Sequence, residues 1–464
     1  MSATTTAGRL LVVGGVSSGV GKTTVTLALL EALRRRGLTV QAFKVGPDFI
    51  DPGFHEVVTG RGSYNLDGWM CGRDHATATV ARYAGDADLA LVEGVMGCFD
   101  GLDGLSEDGS TAQMAKWLNA PVVLVLDAQA QARSAAAVVL GFEQFDPAMM
   151  KLAAVIANRV GGETHARWIR EAVAARCRAR VVGAIPHDER VALAERHLGL
   201  VSAGEGGLTV EKRQRLADLM ERTVDLDDLL SLAAPLPVPD PAAPSPGLRR
   251  SPRTRIGIAH DAAFCFYYRD NLALLEAAGA ELVYWSPLKD TVLPAVDGLY
   301  FGGGYPELYG ATLAANRAML TAVRSLASEG RPIYAECGGL MYLADAIEDL
   351  DGATHGMVGL LPATVRMRPR RLSLGYTEVT LYGESPLGQM GGIARGHEFH
   401  YSSLDPVPSR IPRAYRLRRR QGEERAEGYL IGNALLSYVH LHFASNPGLA
   451  RSFVAACAGD RART

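Results

Sequence analysis

The chain has 464 residues, 48% hydrophobic and 21% charged, with a net charge of −2. That length gives two or three domains with cores of their own, and the lack of a basic surplus excludes nucleic acid as a main partner. No apolar run is long enough to span a bilayer and the N-terminus lacks a signal-peptide pattern, so a cytoplasmic protein with no membrane partner is expected. Six scattered cysteines with no Cys-x-x-Cys pair argue against a zinc site or a disulfide framework and fit a reducing compartment.

Residues 9–16 (RLLVVGGV) read as a buried strand that runs into SSGVGKTT and a helical pattern. This is a phosphate-binding loop, in the long spacing Gly-x-x-x-Gly-x-Gly-Lys-Thr that starts at Gly15. Gly19, Val20 and Gly21 would curl backbone N–H groups around phosphate, Lys22 would reach the terminal phosphates, and Thr23 and Thr24 would open the helix, with Thr23 able to ligate Mg²⁺. The strand Thr39–Val45 ends in GPDFIDPGFH, which puts Asp48 and Asp51 where α/β sheets place ligands. A third strand ends at Glu93, the expected second metal contact, and Asp100 follows in a glycine-rich loop, as readily a turn residue as a functional one. Residues 121–128, 151–160 and 181–189 read as further strands, the second ending at Asn158 and Arg159. Strands alternating with helices predict a doubly wound parallel sheet.

Residues 233–254 hold seven prolines and read as an extended connector. It divides the chain into 1–232 and 255–464. After it come a strand at 255–260, a helix from Arg269, a strand at 280–285, and a strand at 297–301 that ends in Gly302, Gly303 and Gly304. Gly303 and Gly304 are a natural source of backbone donors for substrate. Ile333–Ala335 is then a strand that stops at Cys337, with Gly338, Gly339 and a helical pattern behind it. A nucleophile on such a turn is exposed on a tight bend, and a helix N-terminus should lower the thiol's pKa. Residues 356–436 read as mostly β. His397, Glu398 and His400 lack the His-Glu-x-x-His spacing of a zinc protease. ALLSYVHLHFASNP reads as one strand with His440 and His442 on the same face, either one a base for the thiol.

Cys337 in AECGGLMYL, the loop FGGGYPELY and His440 resemble a class I glutamine amidotransferase domain. That family's His-x-Glu is His440-Leu441-His442 here, as in the variant domain of the cobyric acid synthase group. The first half is similar to dethiobiotin synthetase. KVGPDFIDPGFH, NLDGWM, VEGVMGCFDG, RGHEFHYS and SYVHLHFASNP together resemble the cobyrinate or hydrogenobyrinate a,c-diamide synthases, with Phe49 at a position usually held by Tyr.

The resemblance implies an N-terminal ATP-binding amidoligase domain and a C-terminal amidotransferase domain that together make a carbon–nitrogen ligase. Its substrates would be a corrinoid tetrapyrrole, L-glutamine and ATP. Thr23, Asp48 and Glu93 would hold Mg²⁺. The loop residues Gly19 to Thr24 would bind the phosphates and Asn158 the adenine. Asp51 and Asp100 would serve the acceptor, and Cys337 with His440 would release ammonia, which should reach the acceptor without meeting bulk water. A nickel-sirohydrochlorin a,c-diamide synthase and a regulatory P-loop ATPase carrying an inactive amidotransferase domain are the alternatives. A homodimer is the default assembly.

Overall fold

The computed structural model describes residues 8–146, 151–193, 195–196, 199–200, 206–237, 254–370, 373–419, 422 and 424–459. Two compact units divide the chain, Met1–Ala243 and Pro244–Thr464.

In the first unit the strands are β1 (Arg9–Gly15), β2 (Val40–Val45), β3 (Tyr64–Leu66), β4 (Leu89–Glu93), β5 (Pro121–Asp127), β6 (Lys151–Val160) and β7 (Arg180–Pro186). They lie in the order β3-β2-β4-β1-β5-β6-β7, all parallel. β1 is apolar on both faces because helices cover both sides of such a sheet, and its side chains after Arg9 are buried. The chain leaves β1 at the middle of the sheet and enters helix α1 (Lys22–Arg35). Leu27, Leu30 and Leu33 on α1 pack in one core with Leu216 and Met220 of the helix Val210–Thr223. Arg34 and Arg35 at the end of α1 complement the helix dipole. β3 was not expected; three residues are too few for an alternation to register. Ala234–Pro235, inside the expected connector, pair antiparallel with β1, and Thr254 already begins the next strand. Most of the connector, 238–253, lies outside the described residues.

The second unit is built on a ten-stranded sheet. Ala280–Trp285, Thr254–Ala259, Gly298–Phe301, Ile333–Glu336 and Ala434–Ser437 run parallel. The sheet then continues antiparallel through Glu424–Ile431, Arg413–Arg419, Ser373–Leu381, Ile393–His400 and His440–Leu441. The last of these strands follows Ala434–Ser437 after only two residues. The antiparallel half therefore curls back on itself and brings its far edge to the nucleophile strand. This corrects the single strand expected for ALLSYVHLH, which breaks at Tyr438 and Val439. The Ser437 hydroxyl accepts from the Val439 N–H at 3.0 Å and turns the chain there. A second sheet, Thr354–Gly356, Ala344–Glu348, Leu361–Met367 and Ser402–Leu404, completes the unit. Among the described residues no helix is long and apolar enough to cross a membrane.

Candidate active sites

In the first unit the loop after β1 is held from β6. Asn158 Nδ2 donates to the Val20 carbonyl at 2.8 Å, and Arg159 donates to the Gly19 carbonyl at 2.9 Å and to Asp127 at 2.6 Å. Gly21 has φ 93°, and a Cβ there would lie 2.4 Å from Asn158 Nδ2, so only glycine fits. Asn158, expected at the adenine, also supports the loop through its amide nitrogen. Lys22 Nζ donates to the Ser17 carbonyl at 3.1 Å. Burial, then Lys44, pushes the Lys22 pKa down, against the pull of Glu93, Asp51 and Asp100.

Below the loop lies a buried charged corner. Thr23 Oγ1 donates to Glu93 at 2.7 Å and to Asp51 at 3.3 Å. Lys44, from the interior of β2, puts its ammonium 2.6 Å from Asp51 and 3.1 Å from Glu93. His55 Nε2 lies 2.7 Å from the other Glu93 oxygen, and its Nδ1 lies 3.0 Å from Ser63 Oγ. Burial favours the neutral forms of Lys44 and Glu93, but the carboxylates hold Lys44 charged, and Lys44 with His55 holds Glu93 well below the usual carboxylate range. Asp51 goes the other way, pushed up by burial and by Asp48 and Glu93. A hydroxyl beside two carboxylates is a hard donor set that fits Mg²⁺, and a bound cation would favour the ionised form of Asp51.

The two expected aspartates have different surroundings. Asp48 Oδ1 accepts from the N–H groups of Ile50 at 2.8 Å and Asp51 at 3.1 Å, capping the helix Ile50–Thr59, and it is Asp51 that meets Thr23. Asp100 accepts from the Gly97 N–H at 2.9 Å, a turn role, while its charge still reaches Lys22. Lys44 and His55 were missed. A lysine inside a strand that is apolar but for Gln41 was the available signal.

In the second unit Cys337 stands between the strand Ile333–Glu336 and the helix Gly338–Leu343, with φ 46° and ψ −103°. A non-glycine residue held at positive φ is the strained bend expected for an exposed nucleophile. Its N–H donates to the Ser437 carbonyl at 2.8 Å. His440 approaches from the curled-back edge. A Cβ on Gly303 would lie 2.4 Å from His440 Cε1, and one on Gly338 would lie 3.0 Å from the Gly304 nitrogen. The glycine loop is thus the common floor under the nucleophile's turn and the histidine. The Gly303 N–H donates to the Phe266 carbonyl at 3.2 Å. The Cys337 sulfur lies 3.9 Å from the Phe399 carbonyl oxygen.

The helix terminus pulls the thiol's pKa down through the Gly338 N–H, but burial outweighs it. Burial pushes Cys337 up to about 12, with Glu307 adding to the shift, and the six-residue helix is too short and too enclosed to offset it. Burial likewise lowers His440 to about 3, with His400 adding to the shift. The resting pair is a neutral thiol and a neutral imidazole. The His397 ring stacks on His440 at 4.9 Å between centroids, and His397 Nδ1 lies 2.8 Å from the Tyr268 hydroxyl. His442 sits 3.8 Å from Asp270 and against the Tyr268 ring. Glu398 is buried between Arg419 and Arg425.

Residues 11–201 match the family model for the CobQ/CobB/MinD/ParA nucleotide binding domain, and residues 255–448 match that for the CobB/CobQ-like glutamine amidotransferase domain. A phosphate loop in one unit and an amidotransferase domain in the other define a glutamine-dependent ligase. The chain is 49% identical to a cobyrinate a,c-diamide synthase of Syntrophotalea carbinolica, over 97% of this chain and 99% of that one. It is 44% identical to one of Dehalococcoides mccartyi, over 96% and 97%, and 42% identical to one of Leptospira interrogans, over 96% and 98%. The chain belongs to the cobyrinate a,c-diamide synthase family. It is a carbon–nitrogen ligase that takes its amide nitrogen from glutamine, in cobalamin synthesis.

Proposed function

We propose that the protein amidates the a and c acetate side chains of cobyrinate, the acid in its relatives' names, or of the cobalt-free hydrogenobyrinate, through an acyl phosphate. A carboxylate is too electron-rich for ammonia to attack. Transfer of the ATP γ-phosphoryl group to a carboxylate oxygen releases ADP and leaves phosphate as the leaving group. Ammonia then attacks the acyl carbon and phosphate departs. Lys22 and the loop N–H groups hold the phosphates. Thr23, Asp51 and Glu93 would hold Mg²⁺, which supplies charge neutralisation on the transferring group. Lys44 keeps Glu93 ionised and holds both carboxylates in place.

Cys337 attacks the glutamine side-chain amide, His440 takes the thiol proton and passes it to the departing ammonia, and water hydrolyses the γ-glutamyl thioester. The backbone N–H of Gly304 would serve the oxyanion. Because the resting thiol and imidazole are both neutral, proton transfer accompanies attack on bound glutamine, which limits wasteful turnover.

The observation that carries this reading is the strained Cys337 turn sharing its glycine floor with His440, in a chain whose other unit holds a phosphate loop over Thr23, Asp51 and Glu93. The test is mass spectrometry of reactions with Mg-ATP and glutamine, offering cobyrinate, hydrogenobyrinate and nickel-sirohydrochlorin separately. Each acid-to-amide step lowers the mass by about one unit, the difference between hydroxyl and amino groups in acyl transfer. Two steps on a corrin are expected. Conversion of the nickel compound alone would replace the substrate, and glutamine hydrolysis with no product from any of the three would discard it.

A further inference from the structure

The segment that carries His440 has lost its place in the parallel strand beside Cys337, so its backbone N–H groups need other acceptors. Buried side chains supply them. Glu427 accepts from the Ser437 hydroxyl at 2.6 Å and from the Tyr438 N–H at 2.9 Å. Glu336, the residue before the nucleophile, reaches the other side of the break. Its Oε1 accepts from the Leu441 N–H at 2.9 Å and from the Tyr334 hydroxyl at 2.5 Å, and its Oε2 accepts from the Tyr300 hydroxyl at 2.9 Å.

We propose that Glu336 is a positioning residue for the glutamine half-reaction: its carboxylate ties the backbone next to His440 to the strand that presents Cys337, and so fixes the base relative to the nucleophile. The proposal rests on the assignment of Cys337 and His440 above.

Three features separate this from ordinary packing. Glu336 is 1% exposed, and an apolar residue would fill a strand interior at lower cost. Its donors are geometrically divided, two tyrosines anchoring the carboxylate and one backbone N–H receiving the benefit. It also joins Cys337 and His440 within one residue of each, although they stand 103 positions apart in sequence. Burial pushes its pKa up to about 7, against the pull of the three donors. A carboxylate at that cost is matched to a task that needs an acceptor directed at the histidine segment.

The test uses the full-length enzyme and Glu336→Gln, which keeps the shape but offers two donors where the site supplies donors. The kcat for glutamine hydrolysis should fall about 10- to 100-fold, the cost of a misplaced group, while KM for glutamine stays within about twofold and ammonium-driven amidation is retained. Inactivation by a γ-diazoketone glutamine analogue, which needs a proton delivered to the diazo carbon, should slow in parallel. Alkylation of Cys337 by iodoacetamide, which needs only the thiolate, should not. Wild-type kcat, or equal losses with glutamine and ammonium, would overturn the proposal. Should Glu336→Gln fail to fold, Tyr334→Phe removes the closest anchor and should lower kcat about 3- to 10-fold at unchanged KM, and an unchanged kcat would overturn it. Glutamine hydrolysis that survives Cys337→Ala would instead defeat the assignment beneath it.

Discussion

Gly303→Ala isolates the geometry of the thiol's base. The new methyl group would lie 2.4 Å from His440 Cε1, 3.2 Å from Nε2 and 3.4 Å from Nδ1. Carbon contacts settle at about 3.5 Å, so the imidazole must retreat by roughly 1 Å or the loop must. Either movement opens the gap between base and nucleophile. A 1 Å misplacement costs about 100-fold in rate, or about 2.7 kcal/mol of barrier. The assay is glutamine hydrolysis followed by glutamate release, beside amidation driven by ammonium chloride in the same preparation. Glutamine turnover should drop about 100-fold with ammonium turnover intact. Glutamine turnover within twofold of wild type would refute the placement of His440 on the glycine floor.

Lys22→Ala should stop amide formation from glutamine and from ammonium alike, read as product by mass spectrometry, because both routes need the activated acyl group. Lys44→Met should do the same and also lower stability by about 3–5 kcal/mol in a denaturant titration, since it leaves Asp51 and Glu93 buried without their ammonium. The Cys337 thiol lies at about 12, so its thiolate fraction, and with it the iodoacetamide alkylation rate, should rise about tenfold per pH unit from pH 7 to 10. A plateau below pH 9 would mean that the helix terminus outweighs burial.

The sequence carried what local pattern can carry. Lys22 and Thr23 follow a buried strand and open a helix, and Cys337 stops one strand and begins another helix. Both are strings of neighbours, and chain order alone places them at the C-terminal ends of strands. What escaped depends on residues far apart. Nothing in GPDFIDP says that Asp48 turns back to cap its own helix and leaves Asp51 to meet Thr23. ALLSYVHLH alternates like one strand, and only the partners Glu427 and Glu336 reveal the break at Tyr438. The thiol's expected acidity failed for a similar reason: the helix end is local, whereas the burial that overrides it comes from the whole unit. Lys44 and Glu336 did leave a trace, as charged residues inside apolar strands, where charge is costly enough to require a purpose.

The most direct measurement is Cys337→Ala supplied with Mg-ATP and cobyrinate, first with glutamine and then with ammonium as the nitrogen source. The account predicts no amide from glutamine and both amides from ammonium. Amide formed from glutamine by this variant would contradict it.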